Sequence, residues 1–424
     1  MVKQTNHQIR PLPGGLNNIP VFNSNSPESV LGEGILLSTF PPDDKKDKSA
    51  HLNYAFEGRF DVFAHHVARP VNEEDTRTLY LGIIAHNPTD KTVTIDILTG
   101  ASYLSQPDAP FVKLPFLVEG NNIYAGPGSR VMGEILQGKR QDIFPPQIEI
   151  PPGESRMLLN LPIPVQNLTP KLNGRSTYLQ LYSDGKLYLA SLAMYQQGED
   201  NPPSLSQWEE LLKNGTLSTP RDLPPTPPNQ TMGRIIYGRV AGVSLGNTWK
   251  STITDSPNSL YLTIPSPGEA LSYGLSTIVG GTLGTNQIQT APLLVRYPDT
   301  AYSAHGNYGV RYSITVPLFN PTNEAKKVGI AISTPLKTDA AEISFFDKPP
   351  TRVFFRGLLQ VRYNDDNNIP RWRYFHLAQY RGQRGEDLVT VIIPPNSQRL
   401  VFVDFLYPPD ATPPQILTIT TYQQ

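Results

Sequence analysis

The chain has 424 residues with 36 Lys and Arg against 37 Asp and Glu, a formal net charge of −1, so no global field draws it to nucleic acid or an anionic membrane. Its 43 Pro and 32 Gly interrupt the backbone too often for long helices and favour short strands joined by ordered loops. Cysteine is absent, which excludes disulfides and thiolate metal sites, and no run of about 18 apolar residues supports a transmembrane helix.

In chain order, residues 1–48 read as an extended N-terminal arm. Leu12-Pro13-Gly14-Gly15 is turn chemistry, and Asp43-Asp44-Lys45-Lys46-Asp47-Lys48 is a solvated charged loop. The opening Met1-Val2-Lys3-Gln4-Thr5-Asn6 has no apolar signal core, which leaves open a cytoplasmic protein or a mature form with an added Met. Strands resume at Leu52, and a first β-sandwich domain is expected over 49–199. Four of its histidines fall between His51 and His86. His65 and His66 are neighbours on a strand and point to opposite faces. His51, His66 and His86 are the weak candidates for a metal site across paired strands, the alternative being histidines hydrogen-bonded within a sheet.

Ser183-Asp184-Gly185-Lys186, between two apolar runs, predicts a hairpin with a type I′ turn. Tyr178, Tyr182 and Tyr188 then share a face that suits either a sugar ring or cross-strand packing. Residues 200–232 break the β pattern. Ser204 and Gln207 form a capping box over a short helix, and Asn214-Gly215 is expected to end it in a left-handed conformation. Leu223-Pro224-Pro225-Thr226-Pro227-Pro228 follows as a polyproline-like linker.

A second sandwich is expected over 233–424. Its loop 297–309 gathers Tyr297, Asp299, Tyr302, His305 and Asn307, a polar set with aromatic walls of the kind that holds sugars. An ordered connector that satisfies its own backbone is the alternative. Between 351 and 385 lie seven Arg against two Asp, with no Lys. Arg352, Arg356, Arg371, Trp372 and Arg373 are the binding candidates there, since guanidinium and ring surfaces grip carboxylated or sulfated polysaccharide. A solvated sheet face covered by Arg stems fits the same pattern. Asp365-Asp366-Asn367-Asn368 between two strands reads as a hairpin turn.

The two halves repeat two phrases in the same order. Ile84-Ala85-His86-Asn87-Pro88-Thr89 matches Leu318-Phe319-Asn320-Pro321-Thr322, and Ile150-Pro151-Pro152-Gly153-Glu154-Ser155-Arg156 matches Ile393-Pro394-Pro395-Asn396-Ser397-Gln398-Arg399. Asn-Pro-Thr stops a strand in a turn, and paired prolines mark a strand entrance. The expectation is all-β: two tandem immunoglobulin-like β-sandwiches from an internal duplication, joined by the helix and linker.

No P-loop, dinucleotide fingerprint, nucleophile elbow or paired-His zinc helix occurs, so the expectation is no enzyme and no cofactor. The segments Pro20-Val21-Phe22-Asn23-Ser24-Asn25-Ser26-Pro27-Glu28, Phe60-Asp61-Val62-Phe63-Ala64-His65-His66 and Leu294-Val295-Arg296-Tyr297-Pro298-Asp299 carry a resemblance. So do Tyr103-Leu104-Ser105-Gln106-Pro107-Asp108 and Asp404-Phe405-Leu406-Tyr407-Pro408-Pro409. In them the chain resembles an uncharacterised cyanobacterial family, a domain of unknown function, over almost its whole length. The resemblance implies an exported protein of the periplasm, cell surface or medium whose start is mature or truncated, and it supplies no catalytic residue. The functional expectation is non-enzymatic binding of glycan or envelope polysaccharide. A structural subunit of a surface layer or appendage that self-associates, and a metal-dependent hydrolase, are the alternatives.

Overall fold

The computed structural model describes residues 2–5, 7–72, 74–196, 198, 201–230 and 233–423. The chain is mostly β, arranged in several open mixed sheets with two ten-residue helices among the described residues.

The repeated phrases build the same corner twice. Fully buried Asn87 donates through Nδ2 to the carbonyls of Lys91 (2.6 Å) and Ile150 (2.8 Å), and its Oδ1 accepts from Thr89 N (2.9 Å). Fully buried Asn320 donates to Glu324 O (2.7 Å) and Ile393 O (2.9 Å), and accepts from Thr322 N (3.0 Å). The neighbouring register also coincides, with Val93 opposite Ile150 and Lys326 opposite Ile393. An asparagine is suited to this place because one amide satisfies carbonyls and an N–H that the turning chain leaves buried. Asn320→Ala should therefore lower stability by about 2–3 kcal/mol. The check is the denaturant midpoint at unchanged slope, and Asn87→Ala should behave alike.

Sheet order repeats as well. Five neighbouring strands of the twelve-stranded sheet run Gln147–Ile150, Val93–Leu104, Asn173–Tyr195, Phe56–Ala68, Pro20–Ser24. Another sheet runs Asp387–Ile393, Lys326–Ser333, Gln415–Thr421, Ala270–Leu275, His7–Arg10. Along each of these five-strand runs the pairings are antiparallel except the last named, which is parallel. Each half has its own large apolar core, one around Phe22, Phe60 and Leu181, the other around Tyr312, Phe355 and Phe405.

The N-terminal segment, read as an arm, is woven into both halves. Pro20–Ser24 pairs with Phe56–Ala68 on one side and Ala241–Leu245 on the other, so one continuous sheet crosses from the first half into the second. Gly15–Leu16 and His7–Arg10 pair with strands of the second half.

The predicted hairpin at Asp184-Gly185 is absent. Asn173–Tyr195 is one strand, paired with Phe56–Ala68 before the Ser183–Leu187 irregularity and with Leu79–His86 beyond it. Gly185 sits where a Cβ would lie 2.6 Å from Val93 Cγ2, and Asp184 Oδ1 accepts from Thr94 N at 2.7 Å. The Asp-Gly pair thus bends a strand from layer to layer. Nor do the three tyrosines form one exposed surface: Tyr178 is buried, Tyr182 is exposed and Tyr188 packs on Phe40.

Helix α2, Leu205–Asn214, has the predicted capping box, and its fully buried Trp208 docks it on the first half. Its end departs from expectation: Gly215 is extended (φ −79, ψ 175). Helix α1, Pro127–Leu136, has no counterpart among the sequence expectations; its two glycines and proline weaken the helical signal. Pro127 fits a first helical turn, and Val131, Met132, Ile135 and Leu136 form an apolar face. That face packs between Phe63, Ala101, Tyr103 and Tyr178 of the first half and Leu406 of the second.

Candidate functional site

The second half presents a sheet in which Pro370–Tyr380, Val353–Asn364, Ser397–Leu406 and Arg311–Asn320 lie side by side. Successive residues of a strand face opposite ways. One face carries Val361, Phe375 and Val403 into the core. On the other, helix α1 covers only one end, where Gly133 meets Leu358 and Ser129 Oγ lies 2.9 Å from His376 Nε2. The uncovered end is an open groove of about 670 Å³, bordered by Arg362, Trp372, Leu400 and Phe402.

Arg362 organises this groove. Its guanidinium stands 5.6 Å from the Trp372 ring centroid and 4.8 Å from that of Phe402. Asp404, 1% exposed, holds it at 3.1 Å and holds Arg311 at 3.1 Å with its other oxygen. Trp372 is 64% exposed and Leu400 46%. Arg371 sits at the groove's edge, paired with Asp365 in the 365–369 turn, which forms as predicted (Asp365 N to Ile369 O, 2.9 Å). The backbone N–H of Ile369, and then Arg371, hold the Asp365 carboxyl below the usual carboxylate range. Arg399 borders the groove with no carboxylate partner among the described residues, so the surface is apolar, aromatic and slightly basic.

The sequence candidates divide over several places. Trp372 and Arg371 reach this groove, but Arg373 turns to the opposite face. There its Nε donates to Glu119 Oε1 at 2.7 Å, which pushes the Arg373 pKa up and the Glu119 pKa down. Arg356 stands over the Phe111 ring, 3.9 Å from Asp410, and Arg352 over Phe354. Arg362, Phe402 and Arg399 are additions. The signal for Phe402 was the outward pair Leu400 and Phe402, apolar residues on the wrong face of a half-buried strand.

Loop 297–309 is mostly structural. Buried Tyr297 donates to Ala50 O (2.7 Å) and accepts from Ser38 N (2.9 Å). Asp299 takes both nitrogens of Arg221 (2.8 and 3.2 Å), and Tyr302 packs under Arg296. Asn307, at φ +49, donates to Gln289 O (2.7 Å) and accepts from Ala291 N (3.0 Å). His305, with its neighbours Asn307 and Tyr308, lines a cavity of about 430 Å³, walled also by Asn23, Asn25, Tyr237, Arg239 and Lys337. Burial, then the charge of Lys337, lowers the His305 pKa to about 4.

A family model described as Protein of unknown function (DUF3370) matches residues 7–421. The chain belongs to the DUF3370 family. No curated protein matches it. Among solved structures, procruciferin, an 11S globulin from Brassica napus, aligns at 10% identity over 92% of this chain and 85% of that one, with a TM-score of 0.11. A score that low carries no argument about fold.

In this DUF3370 protein the three metal candidates do not converge. His51 Nδ1 pairs with Ser38 Oγ (2.8 Å), His66 Nε2 with Ser24 Oγ (2.9 Å) and His86 Nδ1 with Ser155 Oγ (3.2 Å). His65 and His66 take separate partners, as adjacent strand residues must. Among the described residues no three His, Asp or Glu gather as a metal site, and no helix is long and apolar enough to cross a membrane.

Proposed function

We propose that this protein is a non-enzymatic binder of envelope or extracellular polysaccharide, exported from its cell, and that two copies of one immunoglobulin-like sandwich unit present its binding face. The observation that carries the reading is the exposed Trp372 ring beside Arg362 in an open groove. An exposed indole offers a stacking surface for a pyranose ring. Arg399 and the edge of Arg371 supply donors for carboxylate or sulfate groups. The buried Asp404 fixes the Arg362 plane, so the aromatic floor is organised before any ligand arrives.

The test is retention of the intact protein on anionic and neutral polysaccharide fractions across a salt series. Trp372→Ala should weaken retention roughly tenfold, about 1.4 kcal/mol. The fold should survive, since exposed substitutions usually shift stability by less than about 0.5 kcal/mol. Arg399→Ala should flatten the salt dependence, and Arg373→Ala, on the opposite face, should leave retention unchanged. Equal retention by wild type and Trp372→Ala would sink the reading.

A structural subunit is the second reading, favoured by the exposure of Leu260 (87%) and Ile369 (48%) alongside Trp372 and Leu400. It calls for concentration-dependent self-association that Trp372→Ala abolishes, with no polysaccharide retained.

A further inference from the structure

Six histidines in this protein are each within hydrogen-bond distance of a serine hydroxyl. His305 has no such serine, and its Nδ1, like His51 Nε2 and His376 Nδ1 elsewhere in the fold, is buried with no partner among the described residues. Asn23 and Asn25, each 4% exposed, line the same cavity, and the Oδ1 of each is likewise buried and unpartnered. Buried polar atoms in native proteins nearly always have partners, so each exception calls for an explanation. Three around one cavity call for a common one.

We propose that this cavity binds a small, neutral, polyhydroxylated ligand of sugar-ring size. It shares no lining residue with the Trp372 groove, and the proposal does not rest on that site. Its volume of about 430 Å³ lies in the range that holds small molecules. A hydroxyl both donates and accepts, so it satisfies the two asparagine amides in either orientation and the imidazole nitrogen as well.

Charge balance selects a neutral guest. Arg239 is already paired with Glu28 and lies 3.8 Å from Asp222, itself a wall of the cavity and unfavourable to anions. Lys337 opposes cations, and its ammonium already contacts the Tyr237 hydroxyl. Tyr237, packed 5.0 Å from the His305 ring, and Tyr308 supply aromatic walls. Leu223, 69% exposed, marks where the cavity meets solvent.

The experiment is calorimetric titration of the full chain with glucose, galactose, mannose, myo-inositol and glycerol, with sulfate and spermidine as charged controls. At least one neutral polyol should bind saturably, with a dissociation constant of millimolar order or tighter. His305→Leu should weaken it roughly tenfold or more by deleting a buried acceptor. Leu223→Trp alters only the exposed rim, so it should fold normally, and by narrowing the entrance it should weaken binding too. Three outcomes overturn the proposal. These are no saturable binding of any neutral polyol by wild type, binding unmoved by both variants, and sulfate or spermidine binding in preference to every polyol.

Discussion

Stability should fall steeply as pH drops from about 6.5 towards 4, because several histidines are buried in their neutral form. His66 and His376 are fully buried, and burial lowers each from an ordinary value of 6.5 to about 4. His66 Nδ1 lies 2.8 Å from Pro27 O and Nε2 lies 2.9 Å from Ser24 Oγ, which itself meets Ser191 Oγ at 2.7 Å. The network suits a ring with one N–H, on Nδ1, whose Nε2 accepts from the Ser24 hydroxyl; protonating Nε2 makes that hydroxyl reverse its role and places a charge in a fully buried site. At His376 the charge of Arg356 adds to the effect of burial.

The sign is fixed by linkage. Between pH 6.5 and 4 the unfolded chain binds protons that the folded chain refuses, so stability is fully present above about 6.5 and is lost as pH falls. Each fully buried ring contributes about 3 kcal/mol over that window. His7 and His51 are lowered in the same direction, chiefly by burial. Asp61 and Asp410 oppose the trend, because burial raises their pKa and the folded state takes up their protons first. The net loss should still reach about 5 kcal/mol, comparable to the whole stability of many domains. Denaturant midpoints at pH 7.5, 6.5, 5.5 and 4.5 test it, and His66→Gln should show a visibly shallower decline. A midpoint constant to pH 4.5 would refute the argument.

What the sequence revealed follows the range of the interactions involved. The Asn87 and Asn320 corners were legible because their partners lie within a few residues or in the next phrase along. The α2 capping box was legible for the same reason. Asp184-Gly185 misled because a type I′ turn is only a local preference, and pairing of one strand with two layers overrode it. Helix α1 was hidden because its packing partners lie in both halves, and two glycines lowered its own propensity. The groove could be read only in part. Trp372 stood out as a residue type, but Arg362, Phe402 and Arg399 join it through pairings whose register no single sequence discloses.

Removing the carboxylate of Asp61 should cost about 3–5 kcal/mol, because buried Tyr178, buried Asn247 and half-buried Arg59 all donate to this one acceptor. Asp61 is fully buried. Its oxygens accept from Arg59 (2.6 Å), from the Tyr178 hydroxyl (2.8 Å) and from Asn247 Nδ2 (2.6 Å). Asn247 is held in turn by Asn17, whose Nδ2 donates to its Oδ1 at 2.7 Å, and Tyr178 OH also lies 3.0 Å from Gly309 O. One side chain therefore joins the first half, the second half and the N-terminal segment. Asp61→Ala strips Arg59 of its carboxylate, leaving it the Phe60 and Leu181 carbonyls, and leaves the Asn247 amide unpaired where the continuous sheet crosses between halves. Asp61→Asn retains one acceptor, and Tyr178 can still donate to Gly309 O, so it should cost less, about 1–2 kcal/mol. Trp208 and Trp249, buried in the first and second halves, report the two sides separately by fluorescence. With Trp372 replaced and only one of these two retained in each background, Asp61→Ala should lower both midpoints together. A loss confined to the Trp208 signal would show that Asp61 serves its own half and not the junction.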